Sequence, residues 1–249
     1  MALLKETDKD FWHGYIDFYE IFFKNREIKS IAEVGIYLGN SVRWLLKRFP
    51  GARIYGADIL EKQPQWPDDP SFFFTRLDQG DNVALREFFK EKELDLIIED
   101  GSHRPEHQVL TLKEGITALN PGGLYILEDI HTSHPEYSRK KRLWPKQKRG
   151  NALSVLLALD HYKRLGVTID NEKAGLIADN SIMSESDVFL LDRNIASISL
   201  YRRTRLPRLC WNCGSADYVF SLYQCRCGEP VFRDADSMSF VIEKSTSDA

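Results

Sequence analysis

The first 209 residues of this 249-residue chain contain no cysteine; all four fall between Cys210 and Cys227. A disulfide framework is therefore excluded for most of the chain. Thiols crowded into so short a segment point instead to metal binding in a reducing compartment. No apolar run approaches the roughly 20 residues that a membrane-spanning helix needs, and the start, MALLKETDKDFW, lacks the apolar core of a signal peptide. A cytoplasmic protein without a membrane span is expected. A dominant charge is missing too: the formal net charge is −3 and the pI about 6.1, which exerts no global pull on nucleic acid.

What is present is a repeating order of short apolar runs and helix-length segments. Phe11 to Phe23 carries aromatic and aliphatic residues at mixed three and four spacings, suiting one amphipathic helix laid on a sheet. Ser30 to Val34 reads as a strand opening into Glu33-Val34-Gly35-Ile36-Tyr37-Leu38-Gly39-Asn40-Ser41, with a helix from Val42 to Arg48. Strand Ala52 to Ala57 ends in Asp58, strand Phe72 to Leu77 in Asp78 and Gln79, and a helix from Asn82 to Lys92 follows. Short loops between such elements select an α/β fold with a parallel, doubly wound, Rossmann-like sheet. Helix Asn151 to Leu165 and a hairpin of Asp187 to Leu191 with Ile195 to Tyr201 are expected to complete it. The basic loop Ser138 to Gly150 suits either a solvated loop or a lid over the substrate.

Chemistry concentrates between Leu94 and Ser133. Two buried strands, Leu94 to Glu99 and Leu124 to Leu127, flank a helix and a Pro-Gly-Gly break, and each ends in an acidic turn. Ligands bind beyond the carboxyl ends of such strands, where Asp100, His103, Glu128, Asp129 and His131 fall. Converging carboxylates repel unless a cation neutralises them, and oxygen ligands favour a hard ion such as Mg²⁺. At the Gly35 to Gly39 turn, glycines let the backbone approach a ligand and free amides favour polar or anionic groups. The turn is not G-x-G-x-x-G, so NAD is a poor candidate. Asp58 suits a ribose diol, the alternative being an acid that caps its own turn.

The set E-x-G-x-x-x-G-x-S, strand-end Asp58, I-E-D-G-S-H and L-N-P-G-G-L-Y-I-L-E-D-I-H-T-S resembles a known family over about Asp10 to Tyr201. It is similar to the class I S-adenosylmethionine-dependent methyltransferases, specifically the metal-dependent sugar O-methyltransferases of macrolide and aminocoumarin pathways, with the cephalosporin hydroxylase-like proteins. The resemblance implies Mg²⁺ on Asp100, Glu128 and Asp129, with His103 as general base. It implies cofactor contacts from Glu33, Gly35, Tyr37, Gly39 and Ser41, ribose on Asp58, and adenine near Asp78 and Gln79. The expected activity is methyl transfer to a sugar hydroxyl of a glycoside or polysaccharide. A hydroxylase-like or non-sugar reaction, and an RNA-modifying protein, are the alternatives. Nothing in the sequence excludes a homo-oligomer.

Cys210-x-x-Cys213 and Cys225-x-Cys227, each pair followed by glycine, resemble the knuckles of a zinc ribbon. Four thiolates leave no open position, so this Zn²⁺ is structural. Two units are expected, residues 1–205 for catalysis and 206–249 for a zinc-ribbon-like appendage and tail.

Overall fold

The computed structural model describes residues 6–134, 151–179, 181–232 and 237–246. The basic loop expected at 138–150 lies outside the described residues. Strands β1 (Ser30–Val34), β2 (Arg53–Asp58), β3 (Phe72–Arg76), β4 (Leu94–Glu99) and β5 (Leu119–Leu127) are all parallel. Strands β6 (Ile195–Arg202) and β9 (Met238–Lys244) complete a seven-stranded sheet in the order β3-β2-β1-β4-β5-β9-β6, with β9 antiparallel to both neighbours.

Alternation along β4 builds the two cores. Leu96 and Ile98 face a cluster with Tyr15, Tyr19, Phe23, Val42 and Leu45, drawn from α2 (Tyr15–Phe23) and α3 (Asn40–Arg48). Ile97 faces the other way, onto Leu85 of α4 (Asn82–Phe89), Val109, Leu112 and Ile116 of α5 (Pro105–Ala118), and Leu156 and Leu159 of α6 (Ala152–Leu165). A strand covered on both faces is predominantly apolar, which is why Leu96, Ile97 and Ile98 run together without the polar alternation of a half-exposed strand. Register then brings the functional ends level: Val34 pairs with Ala57 and with Glu99, and Glu99 pairs with Leu127. Gly35, Asp58, Asp100 and Glu128 therefore emerge along one rim.

Three expectations need correction. The aromatic segment is not one helix: α1 (Asp8–Phe11) is separated from α2 by Gly14 at φ 69°. The expected hairpin does not form, because residues 187–191 lie within helix α8 (Glu185–Asn194), which follows α7 (Asn171–Asp179). Ser184 and Asp187 cap α8 reciprocally, satisfying donors that a strand would have left for a partner. Finally, β9 belongs to the main sheet, so residues 206–249 do not form a unit apart from it. The cysteine segment, with the small pair β7 (Tyr218–Val219) and β8 (Gln224–Cys225), is an excursion between β6 and β9. Among the described residues no helix is long and apolar enough to cross a membrane.

Candidate active site

A cavity of about 1420 Å³ opens along the rim of strand ends. That exceeds the roughly 300–1,000 Å³ of a pocket for one ligand, so two ligands can share it. Gly35, Tyr37, Ser41, Asp58, Asp78, Gln79, Asp100, His103 and Asp129 line it, whereas Glu33, Gly39 and Glu128 lie behind its wall. Tyr37, His103 and Asp129 hold left-handed backbones at φ 48°, 54° and 48°. Strain of this kind costs of order 1–3 kcal/mol per residue and gathers at functional sites.

At one end the acids converge. Asp100, His103 and Asp129 bring ligand atoms within 4.8 Å of one another. His103 Nε2 is 4.0 Å from Asp100 Oδ1 and 3.7 Å from Asp129 Oδ2, and its Nδ1 is buried without a hydrogen-bond partner. Tyr15 donates its hydroxyl to Asp129 Oδ1 at 2.7 Å, and His13 and His131 lie 3.9 and 3.7 Å from the same oxygen. Burial opposes ionisation of Asp129, but His13, His103, His131 and that hydroxyl outweigh it and hold the carboxyl well below its usual range. Burial pushes Asp100 and Glu128 up, against the pull of Lys9, whose ammonium donates to Asp100 Oδ2 and, at 2.8 Å, to Glu128 Oε2. For His103 burial favours the neutral ring, yet Asp129, Asp100 and Glu99 prevail and raise its pKa.

At the other end the backbone is crowded. A Cβ on Gly35 would lie 2.0 Å from the Asp100 carbonyl oxygen, so this glycine lets two strand ends cross and is explained without a ligand. Asp58 accepts from the amides of Ile36 (2.7 Å), Tyr37 (2.9 Å) and Leu60 (2.9 Å), capping its turn while facing the cavity. Gln79 is committed to the protein: its amide donates to Glu99 and to Thr111 (2.9 Å) and accepts from Ser102 N (2.8 Å). Asp78 Oδ1 accepts from the Gly80 amide at 2.8 Å, and its carbonyl accepts from the Asp81 amide at 2.9 Å. Glu33 is fully buried and pushed up to about 7 by burial, partly offset by Lys9 and Ser41.

No family model matches the chain. It is 32% identical over 145 residues to the 8-demethyl-8-alpha-L-rhamnosyl tetracenomycin-C 2'-O-methyltransferase of Streptomyces olivaceus, covering 54% of this chain and 38% of that protein. It is 27% identical over 161 residues to the mycinamicin VI 2''-O-methyltransferase of Micromonospora griseorubida, covering 60% and 39%. The chain thus spans about two fifths of these relatives' length. Among solved structures it matches the MycE methyltransferase of the mycinamycin pathway in complex with Mg and SAH, with TM-score 0.59 and 20% identity over 94% of this chain and 50% of that one. The fold is that of a class I methyltransferase.

In this methyltransferase fold the residues suit a hard cation. Asp100 Oδ1 and Asp129 Oδ2 face the cavity side of His103, and Glu128 Oε1 is buried without a hydrogen-bond partner. An orphaned carboxylate oxygen in a buried acidic cluster is costly and is relieved by a cation. The expected trio of Asp100, Glu128 and Asp129 is thus brought to one place, although Glu128 stands outside the tighter group that includes His103. His107 also lines the cavity, with its Nδ1 2.8 Å from Ser102 Oγ. Sequence reasoning missed Lys9, His13, Tyr15 and Trp211. The first three flank the acids from the N-terminal segment, and Trp211 lines the cavity from the cysteine segment. Of these, His13, a polar residue within an aromatic stretch, gave a signal in the letters.

The four thiols also meet. Cys210 Sγ is 3.7 Å from Cys227 Sγ, and Cys213 Sγ is 3.5 Å from Cys225 Sγ. Sulfurs at the corners of a tetrahedron with Zn–S of about 2.3 Å would stand about 3.8 Å apart. Burial pushes the Cys210 thiol up to about 12, so the group asks for a cation if it is to be a thiolate.

Proposed function

We propose that this chain transfers a methyl group from S-adenosylmethionine to a sugar hydroxyl of a glycoside or polysaccharide, with Mg²⁺ at the strand-end acids. The observation that supports it most is the single cavity joining the Gly35 to Ser41 turn and Asp58 to Asp100, His103 and Asp129. The relatives' names, and the Mg and SAH in the matched structure, point the same way.

In this reading Asp58, its carboxylate oriented by three amides, accepts from the ribose diol, and Asp78 lies toward the adenine. Gln79 holds the floor of that site rather than the ligand, since its amide is engaged by Glu99, Thr111 and Ser102. Glu33, Gly35, Tyr37, Gly39 and Ser41 shape the pocket for the rest of the donor. Asp100 and Asp129 hold the metal, with Glu128 Oε1 as the third oxygen. Bound there, Mg²⁺ lowers the pKa of an acceptor hydroxyl and fixes its orientation. His103 Nε2 faces the same space and takes the hydroxyl proton as the methyl transfers. In-line attack on the sulfonium methyl then needs chiefly positioning, which Phe11, Trp12 and Trp211 provide as an aromatic wall for the acceptor. The four cysteines hold a structural Zn²⁺.

Transfer of labelled methyl from S-adenosylmethionine to a panel of glycosides tests the reading. Transfer that depends on added Mg²⁺ and is lost in Asp100→Asn and Glu128→Gln is expected. Undiminished transfer by these variants in the presence of a chelator would overturn the metal role.

A further inference from the structure

Methyl transfer leaves Lys9 without a task. It belongs to α1, a short element near the start of the chain, yet only 1% of it is exposed. Its ammonium donates to Asp100 Oδ2 and to Glu128 Oε2 at 2.8 Å, and stands 3.8 Å from Glu33 Oε1. A buried lysine is tolerated only where carboxylates meet it with good geometry. Here it takes one oxygen from each of two acids. The other oxygens, Asp100 Oδ1 toward His103 and the buried, unpartnered Glu128 Oε1, are left for a second cation.

We propose that Lys9 is a tethered cation that positions Asp100 and Glu128 in the metal-free protein and sets the affinity of the site for a divalent ion. The inference rests on the metal reading above and assigns that site a residue which works against the ion. Without a positive charge among them, closely packed buried carboxylates would repel and splay. With Lys9 in place they stay converged, but an arriving divalent ion meets a fixed charge of its own sign. Even in the dielectric of water, a unit charge about 5 Å from a divalent one weakens binding about tenfold.

Lys9 cannot withdraw freely, because its segment is pinned to the cysteine excursion. Arg208 pairs with Glu6 and, at 2.7 Å, with Asp10; the Leu209 amide donates to the Phe11 carbonyl at 3.0 Å. The Phe11 and Trp211 rings stack with centroids 6.3 Å apart. The charge therefore belongs to the site rather than to a mobile arm.

The test is Mn²⁺ titrated into the metal-free full chain, with free Mn²⁺ followed by electron paramagnetic resonance. Lys9→Met, of similar length without charge, is expected to bind Mn²⁺ about tenfold or more tightly than the unsubstituted chain. Lys9→Arg, which keeps the charge, is expected to stay within a few-fold. Thermal melting without metal should fall in Lys9→Met and recover with Mn²⁺ by a larger margin than in the unsubstituted chain. Equal or weaker Mn²⁺ binding by folded Lys9→Met overturns the proposal while leaving the metal site standing. No Mn²⁺ binding by any of the chains overturns the metal reading and the proposal together. Should Lys9→Met not fold, Lys9→Gln carries the same comparison.

Discussion

Gly35→Ala should separate packing from chemistry at the rim. The added methyl would lie 2.0 Å from the Asp100 carbonyl oxygen, 2.5 Å from its carbon and 2.7 Å from Gly101 Cα. No rotamer relieves a clash made by Cβ with backbone, so the β1 and β4 ends must part. Two ladder bonds hold the β1 end at the rim and are strained as it shifts: Asp100 N to the Val34 carbonyl, from β4, and Gly35 N to the Ala57 carbonyl of β2, both at 2.8 Å. Losing these costs about 0.5–1.5 kcal/mol each. Residue 35 also sits at φ 95°, where a side chain adds of order 1–3 kcal/mol. The sum is about 2–6 kcal/mol, a large share of the about 5–15 kcal/mol that holds a domain together. With a urea slope of about 2–3 kcal/mol/M, the midpoint should fall by about 1 M or more. Equilibrium urea unfolding by circular dichroism measures it, and Mn²⁺ binding by the folded variant should weaken because Asp100 moves with the strand end. An unchanged midpoint would refute the account of Gly35 as a strand-crossing residue.

His103→Ala should lower kcat by about 10²–10⁴-fold while Mn²⁺ binding persists; steady-state kinetics beside a metal titration would expose another base if little activity were lost. Cys213→Ser should lower the zinc content from one equivalent and depress the melting temperature, read by atomic absorption and calorimetry, whereas full zinc occupancy would contradict the four-thiolate site. For Asp187, burial opposes ionisation but hydrogen bonds from Ser184 and Lys113 prevail and depress its pKa. A depressed carboxylate stabilises the fold above its unfolded pKa of about 3.9 and ceases to do so as pH falls through the folded value. The stability advantage of the unsubstituted chain over Asp187→Asn, from urea midpoints, should therefore be present at pH 6 and shrink below about pH 4; an advantage growing toward acid would reverse the sign.

The strand ends were legible because a parallel strand buried on both faces is dominated by apolar residues and here gives way to acids at its carboxyl end. Ile97 and Ile98 before Glu99 and Asp100 carry that signal in the letters alone. Helix α8 was misread because Val188-Phe189-Leu190-Leu191 is too short to reveal a period. Its start was written as Ser184-Glu185-Ser186-Asp187, a capping box. Lys9 was illegible for another reason: no local pattern announces a buried lysine, whose partners are 91 and 119 residues away. β9 escaped because its partners β5 and β6 lie far back in the chain, and its apolar run follows a segment dominated by cysteine spacing.

The position of β9 bears on how the molecule is made. It is made after both β5 and β6, yet it fills the gap between them. Until residue 244 has emerged, those two strands present unpaired amides and carbonyls to solvent, the condition that invites wrong pairing with another nascent chain. Zinc on the four cysteines, as proposed above, would cinch the long connection between β6 and β9 and lower the entropic cost of closing it. Zinc supply during synthesis should thus govern the yield of correctly assembled sheet, well before any substrate arrives.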